Sequence, residues 1–197
     1  MRLVSAISLS MVLGASVYGI QVQWEVGNGG NGHFYEVVSD TAASWNQASD
    51  SAVIKGGHLA TITSAAEQQF VENLLINQGS PTGAYWIGLT ETATEGEYVW
   101  GTGEPLVYTY WLSGEPNNGW GDEDSGSILW TSDADSNLPG FSHRGYWNDL
   151  HHLGRAPGED PLAPDLDRAG YVVEIIPEPS CLLLIVLGSL TVSRRKR

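Results

Sequence analysis

Apolar residues recur at helical spacing in the first half of the chain, beginning with a stretch that contains Trp45. Trp45, Ala48 and Ala52 fall on one side of a helix near residues 44–54, because residues three and four apart share a helix face. Glycine at position 56 marks the end of this helix, since glycine favours the turn that follows a helix. The pattern therefore predicts a first helix of about ten residues.

A second helix is predicted after a short strand-like run. Ser64 and Glu67 have the spacing of a capping box, and Gly79 supplies the end signal. The apolar side of this helix is predicted to be buried, and it consists of Phe70, Val71, Leu74 and Leu75.

Short strands and long loops account for the rest of the pattern, because runs of β-branched and aromatic residues alternate with glycine and polar clusters. The predicted strands are residues 33–38, 58–62, 85–90, 97–101, 127–130, 145–147 and 171–175. The tryptophans in or beside these strands are predicted to fill the core, and they are Trp86, Trp100, Trp111, Trp130 and Trp147. A strand, two helices and then several strands predict an α+β domain.

Gly27, Gly29 and Gly32 have the GxGxxG spacing of a dinucleotide-binding loop. Such a loop opens a helix, whereas the residues that follow here have the pattern of a strand. A glycine-rich turn between two strands is therefore the preferred interpretation.

The charge of the 197-residue chain is strongly uneven. Residues 20–179 contain all 23 acidic residues and only four basic ones, which gives this part a net charge of −19. Such a surface repels phosphate backbones, so no nucleic-acid partner is expected, and it suits a hard divalent cation held by oxygen ligands. The single cysteine, Cys181, excludes an internal disulfide and a zinc site of four thiolates.

Residues 1–19 are predicted to be a secretory signal peptide. An apolar run at residues 3–17 follows Arg2 and ends in small residues, with cleavage expected near Gly19. A buried helix is the alternative. A signal peptide would carry the mature chain out of the cytoplasm and into a compartment where calcium is available.

Residues 177–197 have three parts: Pro-Glu-Pro, an apolar run at residues 181–192, and a final Arg-Arg-Lys-Arg. The run is shorter than the roughly 20 residues of a spanning helix, and the basic cluster predicts that the last residues stay cytoplasmic during export. This order resembles the PEP-CTERM sorting signal of Gram-negative bacteria. The resemblance implies an exosortase-type processing enzyme and at least transient membrane anchoring through the C-terminal segment. The body, residues 20–176, is then expected in the cell envelope or outside the cell.

Two polar segments, residues 115–124 and residues 147–149, supply side-chain oxygens of the kind that calcium prefers. The candidate metal ligands are Glu115, Asn117, Glu123, Asn148 and Asp149. Calcium takes six to eight oxygens, so five side chains and a backbone carbonyl would leave room for a ligand with paired hydroxyls. A cis peptide before Pro116 would aim its two neighbours at one point. Either segment alone also fits an ordinary solvated loop, so the prediction depends on their combination.

The motifs occur in the order found in the C-type lectin domain family, which the chain resembles over about residues 31–176. The matching segments are GGHLATI at 56–62, WIGL at 86–89, Trp111, EPN at 115–117, Glu123–Asp124, WND at 147–149 and YVVEI at 171–175. This resemblance implies a C-type lectin-like fold with two helices, small antiparallel sheets and a long metal-binding loop region. It implies a binding module and no enzyme.

The family binds sugars through calcium, so the resemblance implies Ca²⁺ as cofactor and an exopolysaccharide or surface glycan as partner. The implied primary calcium ligands, which are also the implied sugar-binding residues, are Glu115, Asn117, Glu123, Asn148 and Asp149. The EPN sequence implies sugars of the mannose, glucose, N-acetylglucosamine or fucose type. An accessory calcium site is implied at Glu91, Glu95, Asn118 and Asp124.

The chain departs from the family pattern in its cysteines and in two insertions. Ser125 and Val173 stand where cysteines are expected, so stability is predicted to depend more strongly on calcium. The insertion at 132–145 contains DADSN, which starts like an EF-hand loop but has Leu138 in place of glycine, and it is interpreted as a polar loop. The insertion at 150–168 could bind a transition metal, although solvated side chains are preferred, through His151, His152, Glu159, Asp160, Asp165 and Asp167.

Calcium-dependent carbohydrate binding at the cell surface or in the extracellular matrix is the leading predicted function. The alternative is a structural or adhesive module that keeps the fold and recognises protein, because fold does not fix function. An enzyme ranks third. The sequence has no GxSxG nucleophile elbow, and the metal explains acid pairs such as Asp122 and Asp124 better than a glycosidase does.

Overall fold

The structure is a computed structural model that describes residues 20–132, 143–155 and 166–177. The predicted signal peptide, the DADSN segment and the sorting tail beyond Pro177 lie outside these residues, as do Glu159, Asp160 and Asp165. Within the described residues, no helix is both long enough and apolar enough to cross a membrane.

Both predicted helices are present, α1 at Trp45–Ile54 and α2 at Ala65–Asn77. Their caps differ from the prediction. The complete capping box lies at α1, where Ser44 and Gln47 exchange hydrogen bonds of 2.9 and 3.2 Å.

At α2 the Ser64 hydroxyl accepts a hydrogen bond from the Glu67 amide at 3.2 Å, but the Glu67 carboxylate does not return to Ser64. It accepts instead from the amide of Thr63 at 2.8 Å and from the hydroxyl of Tyr35 at 2.5 Å. The predicted box is therefore half formed, because buried donors outside the helix compete for the carboxylate.

The strands in chain order are β1 (Val22–Gln23), β2 (Phe34–Ser39), β3 (His58–Leu59), β4 (Gly83–Glu91), β5 (Tyr98–Trp100), β6 (Ser125–Trp130), β7 (Trp147–Leu150) and β8 (Arg168–Ile175). In the described part of the chain they form one sheet in the order β1-β2-β8-β4-β6-β7, with β3 on β8 and β5 on β4. The α+β prediction is confirmed.

The sheet is mixed, whereas small antiparallel sheets were expected. Strands β4 and β8 run parallel, with Tyr85 opposite Gly170 and Trp86 opposite Tyr171, and the other pairings are antiparallel. Local alternation of apolar residues does not reveal which distant strand becomes the neighbour, so this pairing could not be read from the pattern.

The glycine-rich segment joins β1 to β2 as an antiparallel hairpin, with Val22 opposite Tyr35. Gly29 and Gly32 have φ values of 82° and 84°, in the left-handed region where glycine is favoured. The interpretation as a turn, and not as a nucleotide-binding loop, is confirmed.

The last short strand is displaced from its predicted position. The sequence predicted residues 145–147, but β7 spans Trp147–Leu150, opposite Ser125–Ile128 of β6. Pairing with β6 overrides the weak local strand propensity of asparagine and aspartate. Asn148 and Asp149 therefore project from a strand, and not from a second loop.

Tryptophan rings fill the core as predicted. Trp86, Trp100, Trp130 and Trp147 are each at most 1 % exposed. Trp111 is half-buried and packs edge-on against Trp147, with ring centroids 5.9 Å apart. The positions without the expected cysteines are also buried, Ser125 on β6 and Val173 on β8.

Candidate metal centre

The segment before the EPN motif is fixed to β7. The amide of Trp147 donates to the carbonyl of Tyr110 at 2.8 Å, and the amide of Leu112 donates to the carbonyl of Trp147 at 2.9 Å. The peptide between Glu115 and Pro116 is cis, as the sequence predicted. The two segments that carry the candidate ligands are therefore neighbours.

Asp149 connects these segments through its side chain. Its carboxylate is fully buried and accepts hydrogen bonds from the amides of Asn117 at 3.2 Å and Asn118 at 2.9 Å. The oxygen of the Tyr98 hydroxyl lies 3.2 Å from the same carboxylate. The Asp149 side chain thus fixes the backbone of the loop, in addition to any role as a metal ligand.

Glu123 closes the same loop from its other end. Its Oε2 atom accepts a hydrogen bond from the Gly119 amide at 2.7 Å, and its own amide donates to Asn118 Oδ1 at 3.1 Å. Its backbone carbonyl accepts from the Tyr98 hydroxyl at 2.6 Å. The conformation of residues 117–123 is therefore set by polar contacts within the site.

Gly119 lies beside oxygens of two predicted ligands, Glu123 and Asn117. A Cβ atom at this position would lie 2.6 Å from Glu123 Oε2 and 3.1 Å from Asn117 Oδ1. The first distance is shorter than real Cβ atoms show and the second is tight, so a side chain at this position would have to displace the Glu123 carboxylate. Two of the predicted ligand oxygens therefore border one small gap.

The electrostatics of the cluster disfavour ionisation of two of its carboxyl groups, Glu115 and Glu123. Burial, followed by the neighbouring Asp149 and Glu123 carboxylates, raises the pKa of Glu115 from 4.5 to about 7. Burial, opposed by the hydrogen bond from Gly119, raises the pKa of Glu123 to about 6. Oε2 of Glu115 is buried and accepts no hydrogen bond from any residue that the structure describes. A divalent cation would satisfy this oxygen and stabilise the ionised carboxylates.

The donor set fits a hard cation in its chemistry, because carboxylate and amide oxygens are the ligands that calcium prefers. In the described residues, however, no three side chains drawn from histidine, cysteine, aspartate and glutamate already stand in an arrangement that could hold a metal ion. Amides make up part of the predicted set, and Asp149 is occupied by backbone donors.

Asn148 is placed differently from the other candidates. It is 5 % exposed, and its side-chain nitrogen Nδ2 donates to the backbone carbonyl of Asp149 at 2.7 Å. Its backbone carbonyl accepts from the Ser127 hydroxyl at 3.2 Å. Among the described residues, no hydrogen bond joins it to Glu115, Asn117 or Glu123. Reversal of its side-chain amide would present the oxygen instead of the nitrogen.

The accessory set is brought together only in part. The side-chain amide of Asn118 donates a hydrogen bond to the Glu95 carboxylate. The backbone amide of Glu91 donates to the backbone carbonyl of Asp124 at 2.8 Å. The Glu91 carboxylate accepts from the Gly96 amide at 2.5 Å, within its own turn, and the Asp124 side chain is exposed. A second cation site at these residues stays a prediction.

Tyr98 is the residue that sequence reasoning missed. It was assigned only to a strand, yet its hydroxyl links Glu123 to Asp149. Burial raises the pKa of Tyr98, and the charge of Asp149 adds to the increase. Its position opposite Glu91 on β4 carries it toward the site. A tyrosine at the start of a short strand gives no signal of this role in the sequence.

Comparison with known proteins identifies the family. Residues 41–151 match the family model described as the lectin C-type domain. The chain belongs to the C-type lectin domain family. This lectin domain is 38 % identical over 100 residues to lectin BRA-3 of Megabalanus rosa, covering 50 % of this chain and 57 % of that protein. It is 34 % identical over 131 residues to hepatic lectin of Gallus gallus, covering 66 % and 53 %. The chain thus spans a little over half of either relative.

Solved structures show the same fold. The C-type lectin CEL-I of Cucumaria echinata superposes with a TM-score of 0.56 at 26 % identity, over 74 % of this chain and 91 % of that one. The cow CD23 carbohydrate-recognition domain, described in the presence of a GlcNAc2Man3 oligosaccharide, superposes with a TM-score of 0.53 at 25 % identity, over 74 % and 89 %. The predicted C-type lectin-like fold is confirmed, and this fold is typically that of a non-enzymatic binding module.

The insertion after β7 gives no sign of a transition-metal site in its described part. The rings of His151 and His152 lie 4.1 Å apart, and His151 Nε2 is 3.7 Å from Asp122 Oδ2. Asp167 forms an ion pair with Arg155 at 2.8 Å. Its carboxylate therefore faces an arginine of the lectin domain, and the solvated alternative stays preferred for the histidines.

Proposed function

We propose that this lectin domain binds carbohydrate through a calcium ion held by Glu115, Asn117, Glu123, Asn148 and Asp149. The observation that carries the proposal is the buried, unpartnered Oε2 of Glu115 beside the Asp149 and Glu123 carboxylates. A calcium ion, when bound, would offer open coordination positions to two neighbouring sugar hydroxyls.

The side chains around those positions divide into acceptors and donors. Glu115 and Glu123, once ionised, accept hydrogen bonds from sugar hydroxyls. Asn117 and Asn148 keep an NH2 group with which to donate when their oxygens face a cation. Alternation of acceptors and donors suits a pair of vicinal hydroxyls, each of which donates once and accepts once.

The sugar class and the location belong to the same proposal. The EPN sequence supports mannose-type sugars, and the lectin names of the relatives support carbohydrate as the ligand class. The signal-like start and the PEP-CTERM-like end support export, exosortase-type processing and anchoring in the membrane through the tail.

Titration calorimetry of the chain without residues 1–19 tests the proposal, first with calcium and then with mannose or galactose. We expect calcium to bind first. Mannose should then bind with a Kd of ~1 mM, and galactose should bind more weakly. Glu115→Ala should abolish the mannose heat and keep the far-UV circular dichroism spectrum, whereas the exposed Glu104→Ala should behave as wild type.

Two results would contradict the proposal. One is mannose binding that persists in EDTA or in Glu115→Ala. The other is binding to a protein partner that is indifferent to EDTA, together with no binding of sugar, which would favour the structural or adhesive alternative.

A further inference from the structure

One end of the lectin domain, which we name the end face, carries exposed apolar side chains where β8 leaves the sheet. Ile54 is 86 % exposed, Val53 is 65 % exposed and both end α1. Ile176, the first residue after β8, is 53 % exposed, and Val26 in the β1–β2 turn is 71 % exposed. These four side chains define the end face.

The sheet register places these residues at one end. His58 of β3 lies opposite Glu174 of β8, so the turn after α1 runs beside the last residues of β8. A Cβ atom on Gly57 in this turn would lie 2.9 Å from Ile175 Cγ1. On the other side of β8, Ile175 lies opposite Phe34, the first residue of β2, so the β1–β2 turn extends past the same end.

The chain that follows limits how far this face can be from the apolar run at residues 181–192. Five peptide links separate Ile176 from Cys181, so these residues are at most about 18 Å apart even when fully extended. Even as a helix, twelve residues would cover about 18 Å, well short of the roughly 30 Å hydrocarbon core. A segment too short for the core draws the residues that flank it toward the headgroups.

The charge of the end face suits a zwitterionic surface. Lys55, at the end of α1, forms an ion pair with the buried Glu36 at 2.7 Å, so its charge is compensated. Glu25 adds an exposed carboxylate in the β1–β2 turn. With a net charge of −19 over residues 20–179, the domain is repelled by anionic lipid, whereas apolar contact with a neutral bilayer is not opposed.

We infer that the end face docks on a bilayer of zwitterionic lipid, with Val26, Val53, Ile54 and Ile176 at the interface. The inference rests on the proposed anchoring through the tail. A domain held in this way has one fixed orientation. The tail and the end face both contact the bilayer, so the domain cannot rotate about the short linker that joins them.

The test uses the chain of residues 20–197 with Cys181→Ser, and single cysteines labelled with the environment-sensitive fluorophore NBD. Ile54→Cys and Val26→Cys report on the end face. Leu153→Cys is the matched control, since Leu153 is 52 % exposed and follows His152, whose carbonyl accepts from the first amide of α1. That end of the ten-residue helix is about 15 Å from Ile54.

Each labelled protein is mixed with phosphatidylcholine vesicles and recovered by flotation. We expect all three to float, with a blue shift and at least a roughly two-fold rise in NBD emission at positions 26 and 54, and no change at position 153. Flotation with equal responses at all three positions, or with none, would overturn the docking of the end face and leave the anchor intact. Failure to float would overturn both the anchor and the docking.

Discussion

Replacement of Glu115 by glutamine should remove most of the pH dependence that the candidate metal centre gives to the calcium-free protein. The carboxylate of Glu115 is half-buried beside Asp149 and Glu123, and glutamine keeps its size without its charge. The substitution therefore isolates the cost of ionising one carboxyl group among others.

The size of the effect follows from the pKa of Glu115, which burial and then Asp149 raise from 4.5 to about 7. A carboxyl group whose pKa is raised by folding stabilises the folded state fully below pH 4.5, and this contribution is lost as the pH rises through 7. The full difference corresponds to about 3 kcal/mol, and because part of Glu115 stays in water we expect roughly half of it, about 1.5 kcal/mol.

Urea unfolding in EDTA, followed by tryptophan fluorescence at about pH 5 and about pH 7.5, measures this quantity. This window starts above the unfolded-state pKa of 4.5 and so covers only part of the full difference. The wild type should therefore lose roughly 1 kcal/mol more than Glu115→Gln between the two pH values. Buried Glu67, whose pKa is also raised, is present in both proteins and cancels in the comparison. The exposed Glu97→Gln serves as the control and should follow the wild type. An unaltered pH dependence in Glu115→Gln would refute the electrostatic reasoning.

Three other substitutions test the framework of the site. Tyr98→Phe removes the hydroxyl whose single proton faces both the Glu123 carbonyl and the Asp149 carboxylate. It should lower the free energy of unfolding by ~1–2 kcal/mol and weaken calcium binding, and unchanged values for both in urea unfolding and calorimetry would exclude a bracing role. Gly119→Ala places a methyl group against the Glu123 carboxylate and should abolish the calorimetric calcium signal, whereas Gly27→Ala, with open space around it, should not. Trp147→Ala empties a fully buried position and should cost ~3–5 kcal/mol in urea unfolding; a loss below 1 kcal/mol would contradict its place in the core.

Features set by neighbouring residues could be predicted from the sequence. Both helices follow from apolar spacing and from cap residues within one turn, and the β1–β2 turn follows from its glycines. The approach of Asp149 to the EPN loop was also foreseen, because the motif order matched a known family.

Features set by distant partners could not be predicted in this way. The parallel pairing of β4 with β8 joins segments about 80 residues apart, and no local pattern encodes it. The same holds for Tyr98, whose hydroxyl becomes part of the site only after β5 pairs with β4. The incomplete capping box at Ser64 has this origin too, since Tyr35 competes for Glu67 from another strand.

The position of β8 also determines which cleavages near the end of the lectin domain the fold would tolerate. Strand β8 pairs with β2, β3 and β4 at once, and its last partnered residue is Ile175. Cleavage before that residue would strip paired backbone from the middle of the sheet, whereas cleavage after Ile176 would leave every pairing in place. If the tail is cleaved, release of the lectin domain in folded form would therefore require that the scissile bond lie downstream of Ile175.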